Sequence, residues 1–272
     1  MTKNVSKHSV LWMVIAALGG CAGSVGEAMT EPSTRDDGST PARTDGSDPA
    51  QVEMSFTAVD VAGMPMQVQG SQLFSREAGS STESLNDLTL GGTAPAAPVG
   101  MVMSIGVDGQ REVGITMSAP GLPKYLTLVA TGSDASDFSG APFHLLSSKR
   151  IDAAYQAAGL VQDPLRASVL VHTASAGAHY ELLVNSTDAG PSPIYIDGQG
   201  RVVPDAEASL GGGWVLFPNV AIGLHAIAFG HASERCEQVA SMGWPGFEPD
   251  TTLAFALPTY TTLVEGTTCG PR

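Results

Sequence analysis

A serine flanked by two histidines is the first group of residues in this chain that could do chemistry. Ser175 lies close in sequence to His172 and His179, and a nucleophilic serine needs a histidine base within hydrogen-bond reach. However, Thr173-Ala-Ser-Ala-Gly177 lacks the first glycine of the Gly-x-Ser-x-Gly elbow, and its surroundings are typical of β-strands. We interpret these residues as a β-hairpin with edge or solvent-facing histidines. A hydrolase that uses His172 and Ser175 is the alternative.

Ligands for metal ions or phosphate are sparse. Asp134-Ala-Ser-Asp137 and Asp197-Gly-Gln-Gly200 offer carboxylate oxygens, but neither has the ligand count of a calcium loop, and aspartates often cap turns. Gly211-Gly-Gly213 lacks the lysine and the helix start of a phosphate-binding loop. We therefore expect no cofactor and no metal.

Aromatic side chains offer a different kind of site. Trp244-Pro-Gly-Phe247 reads as a loop, and exposed rings of Trp244 and Phe247 would make a contact surface for a glycan or peptide. Trp214 is expected in the core instead.

The elements that hold these residues begin after a distinctive N-terminus. Lys3 and Lys7 precede an apolar run that ends in Leu18-Gly-Gly-Cys21. The run from Val10 to Leu18 would rise only about 14 Å as a helix, roughly half of a bilayer core. A charged start, a short apolar segment and small residues before a cysteine are similar to the signal of bacterial lipoproteins.

That resemblance implies that residues 1–20 form a signal peptide and are removed. Cys21 would then carry a thioether diacylglycerol and an amine-linked acyl chain such as palmitate, which anchor the protein to a membrane. Because Ala22 is not the aspartate that retains some lipoproteins at the inner membrane, we expect a lipid-anchored protein of the cell envelope, at the outer membrane.

The acidic composition limits the partners. The chain has 13 lysines and arginines against 27 aspartates and glutamates, and its net charge is −14. A phosphate-binding surface needs clustered lysines and arginines, so we expect no nucleic-acid partner. The lipid, rather than surface charge, must hold the protein to a membrane. A protein, a peptide or a glycan, of unknown identity, is the kind of partner that this composition allows.

The remaining cysteines, Cys236 and Cys269, would be exported to an oxidising compartment. They therefore predict one disulfide, and two reduced buried thiols are the alternative. Closing a loop of about 33 residues would contribute roughly 3 to 4 kcal/mol.

Composition divides the chain after the signal peptide into four segments. Residues 21–50 are rich in Gly, Ser, Thr, Pro and Asp and predict a disordered tether. Residues 51–140 predict a β-sandwich domain, residues 141–164 a helical linker, and residues 165–272 a second β-sandwich. Short β-branched and aliphatic runs between turn residues make the expected fold class all-β.

Two local signals are clear. Alternating apolar residues on both sides of Asp108-Gly109 predict a tight hairpin, because this dipeptide supplies the positive φ of the turn. The stretch from Ser148 to Gly159 predicts the one helix, with Ser148 as its N-cap. Other strands are predicted at residues 52–59, 66–74, 99–107, 112–117, 125–130, 168–173, 179–185, 194–197, 214–217, 224–229, 252–256 and 260–264.

The second β region contains a spaced series of glycine, aromatic and Asn-Val residues. Its members are Gly213, Phe217, Asn219, Val220, Gly223, His225 and Ile227. Over residues 165–268 the series resembles the carboxypeptidase-regulatory-like, or transthyretin-like, β-sandwich family, although the Pro-Pro-Gly turn of that family is Ala221-Ile-Gly223 here. The resemblance implies an Ig-like or transthyretin-like sandwich over these residues, and we expect the first β region to form a more diverged sandwich of the same general kind. We also expect Phe217, Val220 and Ile227 to point inward.

Domains of that family accompany zinc carboxypeptidases, so His231-Ala-Ser-Glu234 could supply two zinc ligands. The third ligand there is a histidine further along the chain, and none follows His231. The resemblance therefore implies the non-catalytic accessory domain. We expect a non-catalytic binding or structural module of the cell envelope. The alternatives are a lipid-anchored hydrolase, which would use His172 and Ser175 or a His231 site, and an accessory subunit of an envelope assembly.

Overall fold

The fold is taken from a computed structural model of the chain. It describes residues 51–77, 89–90, 101–108, 111–131, 138–139, 142–183, 191–238, 242–246 and 250–271. The predicted signal peptide, the tether and Cys21 lie outside these residues. Within them, no helix has the length and apolar character needed to cross a membrane.

The described residues are mostly β-strands, with a single short helix, and the all-β prediction is confirmed. The first strands along the chain are β1 (Gln51–Val59), β2 (Gln69–Glu77), β3 (Thr89–Leu90), β4 (Met101–Asp108), β5 (Arg111–Ser118), β6 (Lys124–Ala130), β7 (Phe138–Ser139) and β8 (Phe143–His144). Helix α1 (Ser148–Ala157) follows. The later strands are β9 (Ala167–Thr173), β10 (Ala178–Leu183), β11 (Ile194–Ile196), β12 (Gly213–Val220), β13 (Gly223–His231), β14 (Glu234–Gln238), β15 (Trp244–Pro245), β16 (Thr251–Ala256) and β17 (Tyr260–Pro271).

These strands form three sheets. A nine-stranded central sheet has the order β11-β12-β9-β17-β6-β5-β2-β3, and β14 pairs with β17 beside this path. The first outer sheet contains β4, β1 and β7, and β8 also pairs with β1. The second outer sheet has the order β10-β13-β16-β15.

The alternation of side chains along a strand explains how the central sheet is covered on both faces. In β9, Leu170 belongs to a core cluster with Phe56 of β1 in the first outer sheet. Its neighbours Val169 and Val171 belong to a second cluster with Ile227 of β13 in the second outer sheet. Every residue of β9 is buried, which is typical of a strand with a packed layer on each face.

Strand β17 connects the two regions, 51–140 and 165–272, that the composition predicted to be separate domains. It pairs in parallel with β6 on one side and with β9 on the other. Residues 47–272 also form one compact unit. The boundary expected at residues 141–164, between a sandwich at 51–140 and another at 165–272, is therefore not confirmed, because one sheet contains strands from both sides of it.

The hairpin predicted at Asp108-Gly109 is wrong. Strand β4 pairs with β1 in the first outer sheet, whereas β5 pairs with β2 and β6 in the central sheet. Both strands exist, so the alternation identified them correctly. Alternation reports that one face of a strand is buried, but it does not report which strand lies beside it.

The helix prediction is confirmed with one correction. Helix α1 buries Ile151 and Tyr155 on one face and ends before Gly159, whose φ is +68°. The N-cap residue is Ser147, not Ser148, and its side chain makes no capping hydrogen bond. The expected inward residues of the second half are also confirmed, since Phe217, Val220 and Ile227 are all buried.

Candidate functional site

Three side chains that are distant in sequence meet between the first outer sheet and the central sheet. His144 ends the short strand β8, His172 lies in β9, and Glu265 lies in β17. One nitrogen of each imidazole and one carboxylate oxygen all lie within 4.8 Å of one another. We call these three residues the His-His-Glu cluster.

A β-bulge places the carboxylate opposite His172. The pairing of β17 with β9 joins Val264 to Val171 and then Thr267 to Thr173. Glu265 and Gly266 therefore both lie opposite His172 on the neighbouring strand. Bulges of this kind redirect a side chain, and they are frequent beside functional sites.

Glu265 accepts hydrogen bonds from both histidines. Its Oε1 accepts the backbone N–H of His144 at 2.5 Å, and its Oε2 lies 2.9 Å from Nδ1 of His172. Nδ1 of His144 lies 3.4 Å from Oε1 and has no hydrogen-bond partner. The two imidazole rings stack, with centroids 3.8 Å apart and planes 18° apart. Both Nδ1 atoms therefore lie close to the same carboxylate.

The carboxylate stays ionised despite complete burial. Burial alone would raise the pKa of Glu265, but the adjacent His172 and the hydrogen bonds from His144 and His172 outweigh that effect and hold the pKa below its ordinary value. The cluster thus contains an ionised carboxylate with two imidazoles beside it.

Neighbouring side chains hold the backbone of the cluster in place. The Trp214 indole N–H donates to the carbonyl of His144 at 3.1 Å, and the indole ring lies 5.3 Å from the His172 ring. Gln238 donates through Nε2 to the carbonyls of Glu265 and Met242. The backbone carbonyls of two of the three members are therefore each held by a side chain from another strand.

Tyr125 fixes the segment that follows His144. Its hydroxyl donates to the carbonyl of Leu146 at 2.7 Å and accepts the N–H of the same residue at 3.0 Å. Burial raises the pKa of Tyr125 above its ordinary value. The phenol is consequently a permanent donor that keeps the chain after β8 in one position.

The serine and histidines considered from sequence do not form a catalytic group. Ser175 donates through Oγ to the carbonyl of Cys269 at 3.2 Å and accepts its N–H at 2.9 Å. Nδ1 of His172 faces Glu265 instead, and Nδ1 of the exposed His179 lies 2.9 Å from the carbonyl of Glu207. Ser175 therefore holds the strand that carries the disulfide, and no hydrogen bond described for it reaches a histidine.

The His231 and Glu234 pair lies near the surface. Their Nδ1 and Oε2 atoms are 3.9 Å apart, and both residues line a cavity of about 450 Å³ together with Asp250. Among the residues that the structure describes, the His-His-Glu cluster is the one group of three metal-ligating side chains, and it does not include His231.

One of the two aromatic residues expected to form an exposed contact site, Trp244, lies in the core instead. The Trp244 side chain is buried, with 1% of its surface accessible, and its indole N–H donates to the carbonyl of Val129 at 3.0 Å. Trp244 is therefore a core residue, while Phe247 lies outside the described residues. Trp214 is buried as expected.

The disulfide between Cys236 and Cys269 is present. It links residues that face each other on β14 and β17, so the pairing expected for an exported chain is confirmed.

Sequence reasoning missed His144 and Glu265. Glu265 and His144 are 121 positions apart, and Glu265 and His172 are 93 positions apart. No local spacing connects them, and β8 is too short to produce an alternating pattern.

Comparison of the chain with protein-family models, with curated proteins and with solved structures finds no match.

Proposed function

We propose that this chain is a lipid-anchored protein of the cell envelope, whose β-rich unit is a non-catalytic binding or structural module. The observation that carries the proposal is the disulfide between Cys236 and Cys269. Such bonds persist in oxidising compartments outside the cytosol. Export agrees with the lysines, apolar run and Leu18-Gly-Gly-Cys21 at the N-terminus.

Two features support a non-catalytic module. The Ser175 hydroxyl is occupied by both backbone groups of Cys269, and within the described part of the chain no hydrogen bond joins it to a histidine. The series from Gly213 to Ile227 is similar to that of regulatory-like β-sandwich domains, which accompany enzymes without catalysing their reactions. The charge of −14 favours a partner other than nucleic acid.

The anchor is tested by expressing the full chain in a bacterium with an outer membrane, with an alkyne analogue of palmitate in the medium. We expect the wild-type chain to take up the label and to sediment with outer membranes. The Cys21→Ala variant should remain unlabelled and lose the membrane fraction, because both depend on acylation of that thiol.

The matched control is Cys236→Ala with Cys269→Ala, which removes the other two thiols and leaves Cys21. This double variant should still be labelled. Labelling that survives Cys21→Ala would show that the acyl chain is attached elsewhere and would refute the proposed anchor.

A further inference from the structure

We propose that His144, His172 and Glu265 form a binding site for a divalent first-row transition metal, of which Zn²⁺ is the representative. The proposal is independent of the lipid anchor, since it depends only on the folded β-rich unit. Two imidazoles and a carboxylate are a ligand set that Zn²⁺ accepts, with a fourth position left for water.

The chemistry of the ligands narrows the class of ion. Calcium and magnesium prefer oxygen ligands, in sets of six or more for calcium, whereas two of the three ligands here are imidazole nitrogens. Imidazole suits zinc, copper, nickel and iron. The carboxylate of Glu265, which lies within 4.8 Å of a nitrogen of each imidazole, would offset part of the positive charge of the ion.

The distances match a shared ion. Two ligands bound at about 2.1 Å in a tetrahedral arrangement lie roughly 3.4 Å apart, and Nδ1 of His144 is 3.4 Å from Oε1 of Glu265. Nδ1 of His172 is closer to the carboxylate, at 2.9 Å, because it donates a hydrogen bond there. An ion would replace that proton, which the ring would then carry on Nε2.

The unpartnered Nδ1 of His144 is the second indication. This nitrogen is buried and has no hydrogen-bond partner, although buried polar atoms in folded proteins are nearly always satisfied. A metal ion between the two imidazoles and Glu265 would satisfy it. The anchoring of the cluster by Trp214 and Gln238 resembles the outer hydrogen bonds that orient the ligands of metal sites.

Binding requires one movement. The lone pair of each Nδ1 lies in the plane of its ring, so two stacked rings must open before both can point at one ion. His144 is the ring that can turn, because 29% of its side chain is exposed against 11% for His172. Trp214 lies 5.3 Å from the His172 ring, and its environment would change as the stack opens.

The test uses metal-free full chain titrated with Zn²⁺ by calorimetry. We expect one strong site per chain, and at least a tenfold weaker affinity for His144→Ala and for Glu265→Gln. His179→Ala and His231→Ala are the matched controls and should bind like the wild type. Both remove a histidine outside the cluster, and the second also tests the surface pair with Glu234.

A second measurement avoids the risk that a cluster variant fails to fold. In the wild-type chain with nitrogen-15 in its histidines, Zn²⁺ should move the Nδ1 resonances of His144 and His172 and change tryptophan emission. The proposal is overturned if the wild-type chain shows no site at micromolar Zn²⁺. It is equally overturned if binding is lost only in His231→Ala, or if the resonances of His144 and His172 do not move.

Discussion

We expect His225, a buried histidine outside the cluster, to make the stability of the fold sensitive to acid. His225 is 5% exposed; its Nε2 donates to the carbonyl of Ala221 at 2.7 Å, and its Nδ1 has no hydrogen-bond partner. Burial lowers the pKa of His225, and the bond to Ala221 opposes that shift only in part. The folded protein therefore favours the neutral imidazole.

The sign of the pH dependence follows from this shift. When the folded pKa lies below the unfolded value of about 6.5, the unfolded chain binds more protons in that range, so stability rises with pH. We expect the contribution of His225 to be complete above about pH 7.5 and to be lost as the pH falls through 6.5 towards the folded pKa.

The variant His225→Phe should flatten this part of the profile. Phenylalanine fills a similar volume without a titrating group, so urea unfolding at pH 5 and pH 7.5 should differ less than in the wild type. The exposed His179→Phe serves as the control and should keep the wild-type difference. Equal differences for His225→Phe and the wild type would contradict the assignment.

Single residues also show how far the sequence could lead. The pairing of Cys236 with Cys269 followed from having two thiols left after Cys21, and the burial of Phe217 followed from local alternation. His144 and Glu265 could not be found in this way. These two residues come together because of the way the strands pair and because of a bulge in β17. Neither the pairing nor the bulge can be predicted from the residues adjacent to them in sequence.

At the scale of elements, the sequence predicted strands better than it predicted their partners. Most strands lie within a few residues of the expected ranges, whereas β4 and β5 belong to different sheets. The same holds for β12 and β13, on either side of the turn at Gly223. Two consecutive strands show the same alternation of apolar residues whether they pair as a hairpin or lie in two sheets that face each other, because in both cases each strand buries at least one face.

The pairing of β2 with β5 contains a buried ion pair. Arg76 and Glu112 lie opposite each other in the register, their closest atoms are 2.5 Å apart, and both side chains are 2% exposed. The Arg76 guanidinium also lies 4.1 Å from the centroid of the Trp244 ring. This pair therefore ties the edge of the central sheet to the second outer sheet.

Replacing Arg76 alone should destabilise the fold more than replacing both residues of the pair. Arg76→Met removes the cation that lies beside the buried Glu112 carboxylate and should lower the free energy of unfolding by about 3 to 5 kcal/mol. The double variant with Glu112→Leu as well should recover much of that loss. Urea denaturation monitored by circular dichroism measures both.

The matched control is Arg166→Met, which breaks the exposed pair with Asp163, whose atoms are 3.5 Å apart. A surface pair contributes about 0 to 1 kcal/mol, so this change should be small. A double variant that is no more stable than Arg76→Met would show that packing against Trp244, rather than charge, dominates.

At the scale of the molecule, β17 is the strand on which both halves depend. It lies between β6 and β9 in the central sheet, it carries Glu265, and β14 is joined to it by the disulfide. The composition along the chain could not reveal this dependence, because the strand that pairs with β6 of the first half comes from the C-terminal part of the chain. Long-range pairing of this kind has no local signature.

We therefore expect residues 47–272 to unfold as one cooperative unit. Leu263 of β17 is 1% exposed in the first core cluster, and Leu263→Ala should cost about 2 to 5 kcal/mol through lost burial and a cavity. Amide hydrogen exchange should show equal losses of protection in β5–β6 and in β9–β12.

The control is Val161→Ala, at a side chain that is 84% exposed, which should change neither the free energy of unfolding nor the protection from exchange. If β5–β6 kept its protection while β9–β12 lost it, the halves would be independent domains, as composition first suggested, and β17 would join them without coupling them.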